Sequence, residues 1–324
     1  MKKIISLLYV FVFIFMLCSC SKQQTATVFT VNNAKISKEL FTYFAIEAKR
    51  NNPEIKTVEE LSKAAMQNAA EYVIINTQYK EQKLTPLTSS QKDTIASDVS
   101  GDWHTFSSYY KKAGISRTVL TKVRTGKEYK KAFMISLYDK GGKFAVDESE
   151  IKDYFYSNYI AFRAIVGYLT ATDEKGSTQK LDKKEVNEIK KEFTLMAQSI
   201  SAGENIIDVS RDYSQRHNTN FSAPEITVFK KGGSFYPENF FKSVKKMDYN
   251  EPGVIYSDEY IFLVAPVDMR VNEKLYYEKY KASCLTEMKY SDFVTYIAEL
   301  SSEYKIKAMK SAVEDCCKDV MKDS

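Results

Sequence analysis

The spacing of apolar positions changes character three times along the 324-residue chain. Ile4 to Leu17 is an apolar run interrupted only by Ser6 and Tyr9. Thr27-Val28-Phe29-Thr30-Val31 then has strand composition, and Asn32-Asn33 makes a turn. From Ser37 onward the period is helical. Ser37 reads as an N-cap for a helix whose Leu40, Phe41, Phe44 and Ala48 share one face. Thr57-Val58-Glu59-Glu60 and Thr88-Ser89-Ser90-Gln91 have capping-box form, in which the hydroxyl accepts from the N3 amide and the N3 side chain reaches back. Ser116 predicts a fourth helix through Val119, Leu120, Val123, Tyr129, Phe133 and Leu137, and Asp147-Glu148-Ser149-Glu150 opens a fifth.

After residue 158 the pattern shortens. Residues 160–171 mix β-branched, aromatic and small side chains and predict a strand. Asp182-Lys183-Lys184-Glu185 caps a helix with Val186, Ile189, Phe193, Met196 and Ile200 on one side. A shorter helix follows through Ile206, Ile207, Val209 and Tyr213. Residues 225–229 predict a strand, 237–244 a helix and 259–265 a last strand, before helical character returns from Asn272 to Ser302. The expectation is an α+β protein. A helical domain over 20–157, completed by a C-terminal region 271–324 packed on it, carries an inserted α/β module over 158–270.

Composition narrows the chemistry. With 11 Gly and 6 Pro, the chain suits long helices better than a turn-dense barrel. A formal net charge of +5, without basic residues gathered on one face, disfavours nucleic acid as a partner. The only two His, His104 and His217, exclude a three-His metal site. No metal and no cofactor is expected.

The apolar run is shorter than the roughly 20 residues that span a bilayer, so with Lys2 and Lys3 before it residues 1–19 read as a secretory signal peptide. It ends in Leu17-Cys18-Ser19-Cys20, which resembles a bacterial lipobox: an aliphatic residue at −3, a small one at −1, then the Cys that takes the lipid. Cys20 is therefore the expected lipidation site, because bulky Leu17 stands before Cys18. The expected location is extracytoplasmic, at a membrane through the lipid, on the outer face of the cell membrane or in a periplasm. Cys284, Cys316 and Cys317 have no disulfide-framework spacing, and the vicinal pair reads as an exposed feature of the tail.

The order strand–helix–helix–strand–helix–strand, set between helical regions, resembles the PrsA/SurA class of secreted foldases, in which a parvulin-type prolyl isomerase domain sits inside a helical chaperone domain. TVFTVNNAKISKELFTYF (27–44) is similar to the opening strand, turn and helix of that class. KEQKLTPLTSSQKDTI (80–95) and YYKKAGISRTVLTKVR (109–124) look like its next helix junctions, and VDESEIKDYFYSNY (146–159) like its linker helix. SAGENIIDVSRDYSQ (201–215) and YPENFFKSVKKM (236–247) are similar to segments of the parvulin module.

The resemblance implies a binder of unfolded secreted polypeptides, and it also implies a set of isomerase residues that this chain lacks. Parvulins place a His on the first strand, a second on the last strand, and an Asp or Cys between them. Here Ile165, Val166 and Gly167 stand at the first position, and Tyr260 and Ile261 at the second. Gln215 and Arg216 occupy the acid or thiol position, with His217 beside them as the one candidate catalytic group. A Gly-Gly-Asp-Leu-Gly motif is replaced by FSAPEITVFKKGG (221–233). What remains is the proline-pocket wall, with Tyr236 near the Met position and Phe240 on the Phe position, and these are the expected substrate-binding residues. The alternative for both is a core role. The expected function is a lipid-anchored chaperone with weak or lost isomerase activity. The alternatives are an active parvulin-type peptidyl-prolyl isomerase and a solute-binding lipoprotein of a transporter, the latter opposed by the scarcity of Gly and of alternating βα units.

Overall fold

The computed structural model describes residues 26–172, 175–249 and 251–322. The expected signal peptide, residues 1–19, and the expected lipidation site Cys20 lie outside the described residues. The chain divides into two compact units, one formed by residues up to 145 with those from 285 onward, the other by 146–284.

The first unit opens with strands β1 (Thr27–Val31) and β2 (Ala34–Ser37), followed by helices α1 (Lys38–Asn51), α2 (Val58–Glu81), α3 (Ser89–Lys112) and α4 (Arg117–Tyr138). Each helix starts at the cap its sequence predicts. Ser37 Oγ accepts from the Leu40 amide at 3.3 Å, and Ser116 Oγ from the Val119 amide at 3.4 Å. Thr57 with Glu60 and Thr88 with Gln91 form complete capping boxes. Phe41, Leu61, Ala65, Ala69 and Phe44 are buried in one core with Val119, Leu120 and Val123.

The end of the chain completes this unit. After helix α9 (Tyr277–Ser301), strand β9 (Ile306–Ala308) pairs antiparallel with β1, giving the sheet order β2-β1-β9, and helix α10 (Lys310–Lys322) packs on α1 and α2. Neither β9 nor α10 is predicted by the sequence pattern. Their placement overturns the expectation for the vicinal cysteines: Cys316 and Cys317 are buried in the core, because α10 turns Val313, Cys316, Cys317 and Val320 inward.

The second unit begins with helix α5 (Glu148–Asn158) and strand β3 (Tyr159–Tyr168), then a small hairpin of β4 (Thr170–Thr172) and β5 (Thr178–Lys180). Helices α6 (Lys183–Ser201) and α7 (Ile206–Arg216), strand β6 (Thr227–Lys230), helix α8 (Phe240–Lys245) and strands β7 (Gly253–Tyr256) and β8 (Tyr260–Val267) follow. Strands β6-β3-β8-β7 form one antiparallel sheet in that order. β7, which starts directly after Pro252, is a strand the sequence pattern does not predict, as is β5 of the hairpin. Asp182 and Glu185 form a capping box on α6 as predicted, while Asp147 makes no side-chain cap bond to α5.

This unit is wider than the predicted 158–270. Phe155 of α5 lies 5.0 Å from the ring of Tyr159, 5.8 Å from Tyr277 and 6.0 Å from Tyr280. Lys152 meets Glu273 at 2.6 Å and Lys281 meets Glu148 at 2.7 Å. Aromatic burial and these ion pairs join α5 and the first turns of α9 to the module.

Candidate functional site

The sheet of the second unit has two differently covered faces. Along β3 the side chains alternate, so Ile165, Gly167 and Leu169 turn one way and Ile160, Phe162, Ala164, Val166 and Tyr168 the other. On the first face Ile165, Ile261 and Leu263 are sealed by Phe193 and Met196 of α6 and Val209 of α7. On the second face Phe162, Phe262 and Val264 pack under Phe240 and Val244 of α8.

α8 is only six residues long and covers one end of the second face. There the aromatic rings are tightly engaged. Tyr236 stacks on Phe240 with centroids 4.3 Å apart and planes at 19°. Both meet Phe162 edge-on, at 5.3 and 5.1 Å, and Phe229 closes the group 5.0 Å from Tyr236. Phe262 lies 5.2 Å from Phe240. The ladder then leads out from under the helix: Val166 pairs with Phe262, and Tyr168 with Tyr260. The Tyr260 ring is 6.1 Å from Phe262 and 5.6 Å from Tyr168. Val166 is 40% exposed, Tyr168 63% and Tyr260 37%. Phe235, 5.2 Å from Tyr236, is 86% exposed. The result is an apolar strip that is buried at one end and open at the other.

The two expected pocket residues are brought together, in different roles. Tyr236 is half-buried, its phenol pushed up from the ordinary value by burial, while a hydrogen bond with Thr227 pulls the other way. Phe240 is fully buried and supports Tyr236 from beneath, so it offers no surface of its own to a ligand. This is the core role held open as the alternative for Phe240. It arises because Phe162, Phe229, Tyr236 and Phe262 surround the ring.

His217 is not part of this arrangement. It sits at the C-terminal end of α7, 4.5 Å from the Tyr213 ring, with Nε2 2.9 Å from Glu192 Oε2. Tyr213 meets Phe193 at 5.4 Å and belongs to the opposite face of the sheet. The residues at the two expected parvulin His positions are divided between the two faces of the sheet. Ile261 pairs with Gly167 and is fully buried toward α6, whereas Val166 opens onto the face of Phe262.

Tyr168, Tyr260 and Phe235 are exposed aromatic side chains that the sequence reading does not single out as a surface. The available signal is the alternation through Val166, Tyr168, Tyr260 and Phe262, legible once β3 and β8 are set in register. No group of three or more His, Cys, Asp or Glu suited to a metal ion occurs among the described residues. No helix among them is long and apolar enough to cross a membrane.

No family model matches the chain, and no curated protein matches it. Solved structures do. Foldase protein PrsA from Streptococcus pneumoniae is similar at 15% identity, covering 91% of this chain and 99% of that chain with a TM-score of 0.41. Foldase protein PrsA from Lactococcus lactis is similar at 12% identity, with 91% and 99% covered and a TM-score of 0.43. A structure from work on PEB4 and Cj1289, two SurA-like chaperones of Campylobacter jejuni, is similar at 10% identity, with 88% and 99% covered and a TM-score of 0.32.

Proposed function

We propose that the chain is an extracytoplasmic chaperone that holds unfolded secreted polypeptides, anchored by lipid on Cys20, with a parvulin-like module whose isomerase activity is weak or lost. The observation that carries this reading is the open end of the aromatic strip at Val166, Tyr168 and Tyr260. Apolar burial is non-directional and contributes about 25 cal/mol per Å², so such a strip accepts many sequences without a motif. Tyrosine suits the task because a rigid ring supplies contact area while its hydroxyl stays wet.

The residues at the expected His positions argue against efficient isomerisation. Rotation about an X–Pro bond crosses about 18–20 kcal/mol, and a catalyst must bind the twisted amide better than either planar isomer. The apolar side chains of Val166 and Ile261, at or near the two expected His positions, offer no hydrogen bond to a localised carbonyl dipole or a pyramidal nitrogen. Binding that is equal for all states leaves the barrier where it was.

The test compares two assays on one protein. Wild type is expected to suppress aggregation of an unfolded client while accelerating a proline-limited refolding reaction little or not at all. The double variant Tyr168→Ser/Tyr260→Ser should lose most of the protection and keep its thermal midpoint, since both side chains are exposed. Acceleration comparable to an intact parvulin, abolished by His217→Ala or by the double variant, would establish the isomerase alternative instead. Full protection by the double variant would remove the strip as the client surface.

A further inference from the structure

Away from the aromatic strip, the second unit carries a surface cavity of about 160 Å³. Tyr156 of α5, Val244 and Lys245 of α8, Tyr249, Met269 and Arg270 line it. Two cations face the same space. The Arg270 guanidinium lies over the Tyr156 ring, 4.6 Å from its centroid, and donates to the Tyr249 hydroxyl at 3.2 Å. Lys245 Nζ donates to the backbone carbonyl of Tyr156.

Their charges are poorly matched by anions. Among the described residues no carboxylate lies within ion-pair distance of Lys245, and Asp268 stands 3.8 Å from Arg270. Glu273 is already engaged, by Lys152 at 2.6 Å and by the Tyr156 hydroxyl at 3.0 Å. Partial desolvation and then the nearby Arg270 push the Lys245 ammonium below its ordinary value. Two like charges held over one cavity repel, and a ligand of opposite sign placed between them relieves that repulsion.

We propose that this cavity binds a small oxyanion, a carboxylate or a phosphate, between Lys245 and Arg270. The chemistry fits the lining. Arg270 presents a planar fork suited to two oxygens, Lys245 a point charge, and Tyr249 accepts from Arg270 and so keeps its own proton free to donate. The volume admits one such group with a few waters, each of which takes about 30 Å³ of liquid volume. Val244 and Met269 give the anion a less screened surrounding than open solvent. The inference is independent of the open end of the aromatic strip, whose Val166, Tyr168, Tyr260 and Phe235 do not line this cavity.

Inorganic phosphate is the first probe, titrated into the full chain by calorimetry against sodium chloride of matched ionic strength. Saturable binding by phosphate and none by chloride is expected, with Lys245→Gln and Arg270→Gln each weakening it by about tenfold or more. A short apolar peptide acid and its C-terminal amide form the second arm. A peptide acid that outcompetes phosphate places peptide C-termini in the site, and phosphate that binds better places free anion there. Both outcomes carry the proposal. No saturable heat up to about 20 mM of any probe, binding of the amide as tight as the acid, or variants that bind like wild type would overturn it. Lys245 and Arg270 are both exposed, so the variants should fold, and the wild-type titration decides the matter without them.

Discussion

At position 167 a hydrogen atom is the largest side chain that the packing admits. A Cβ there would come 2.6 Å from Cζ of Phe193 and 2.9 Å from Cγ2 of Ile261, and Phe193 is itself fully buried. The glycine is required by close approach of α6 to β3, not by its backbone angles. Gly167→Ala should therefore destabilise the second unit by about 1–3 kcal/mol, read from the midpoint of denaturant unfolding. An unchanged midpoint would mean that Phe193 yields freely. One residue later the balance reverses, since Tyr168 is open to solvent and its loss should cost stability little. Adjacent residues thus serve opposite ends, one closing a core and the next presenting a surface, because the strand period is two.

Among the elements, the last helix is the most consequential addition to the first unit. β9 pairs with β1, and the Asn32 amide donates to the Lys305 carbonyl at 2.8 Å across most of the chain. α10 then lays Val313, Cys316, Cys317 and Val320 into the core of α1 and α2. Burial pushes both thiols up, and since the thiolate is the reactive species they should be doubly protected. In a thiol titration, Cys316 and Cys317 are expected to react slowly in the native protein and rapidly in denaturant. Prompt native labelling of both would show that α10 is detached from α1 and α2. The helix caps belong to the same scale: Ser37, Thr57, Thr88, Ser116 and Asp182 each bond where their spacing predicts.

For the whole molecule, the proposed function joins a client surface to a place of work. A chaperone of emerging chains gains from being held where they emerge, because tethering replaces free encounter with a high local concentration. The sequence pattern of residues 1–20 predicts such a tether at Cys20, with Ser19 before it and the polar run Ser21-Lys22-Gln23-Gln24 after it. Mass spectrometry of the membrane fraction should find Cys20 acylated as the mature N-terminus. An unmodified terminus elsewhere, with the protein in the soluble fraction, would leave the chaperone unanchored. A single acyl chain gives only marginal membrane binding, so more than one chain on Cys20 is the form that would hold the protein stably.

The sequence by itself determined what local physics decides. Capping boxes and apolar stripes act over three or four residues, and they placed the starts of α1 to α7 within a few residues. It also carried the α+β class and singled out Tyr236 and Phe240, which the fold stacks on one another. Pairing between distant segments lay beyond it. β7 and β9 are four and three residues long, too short to show a period, and exist because β8 and β1 offer them partners. Burial of Phe240 and of the vicinal cysteines was decided by what packs over them, which no local pattern records. Register alone sent Val166 and Ile261 to opposite faces and left His217 on the side away from Tyr236. The open strip of Val166, Tyr168 and Tyr260 likewise came into view only in three dimensions. A helix of six residues covers just one end of its sheet face, and hydrophobic burial stops where the covering stops.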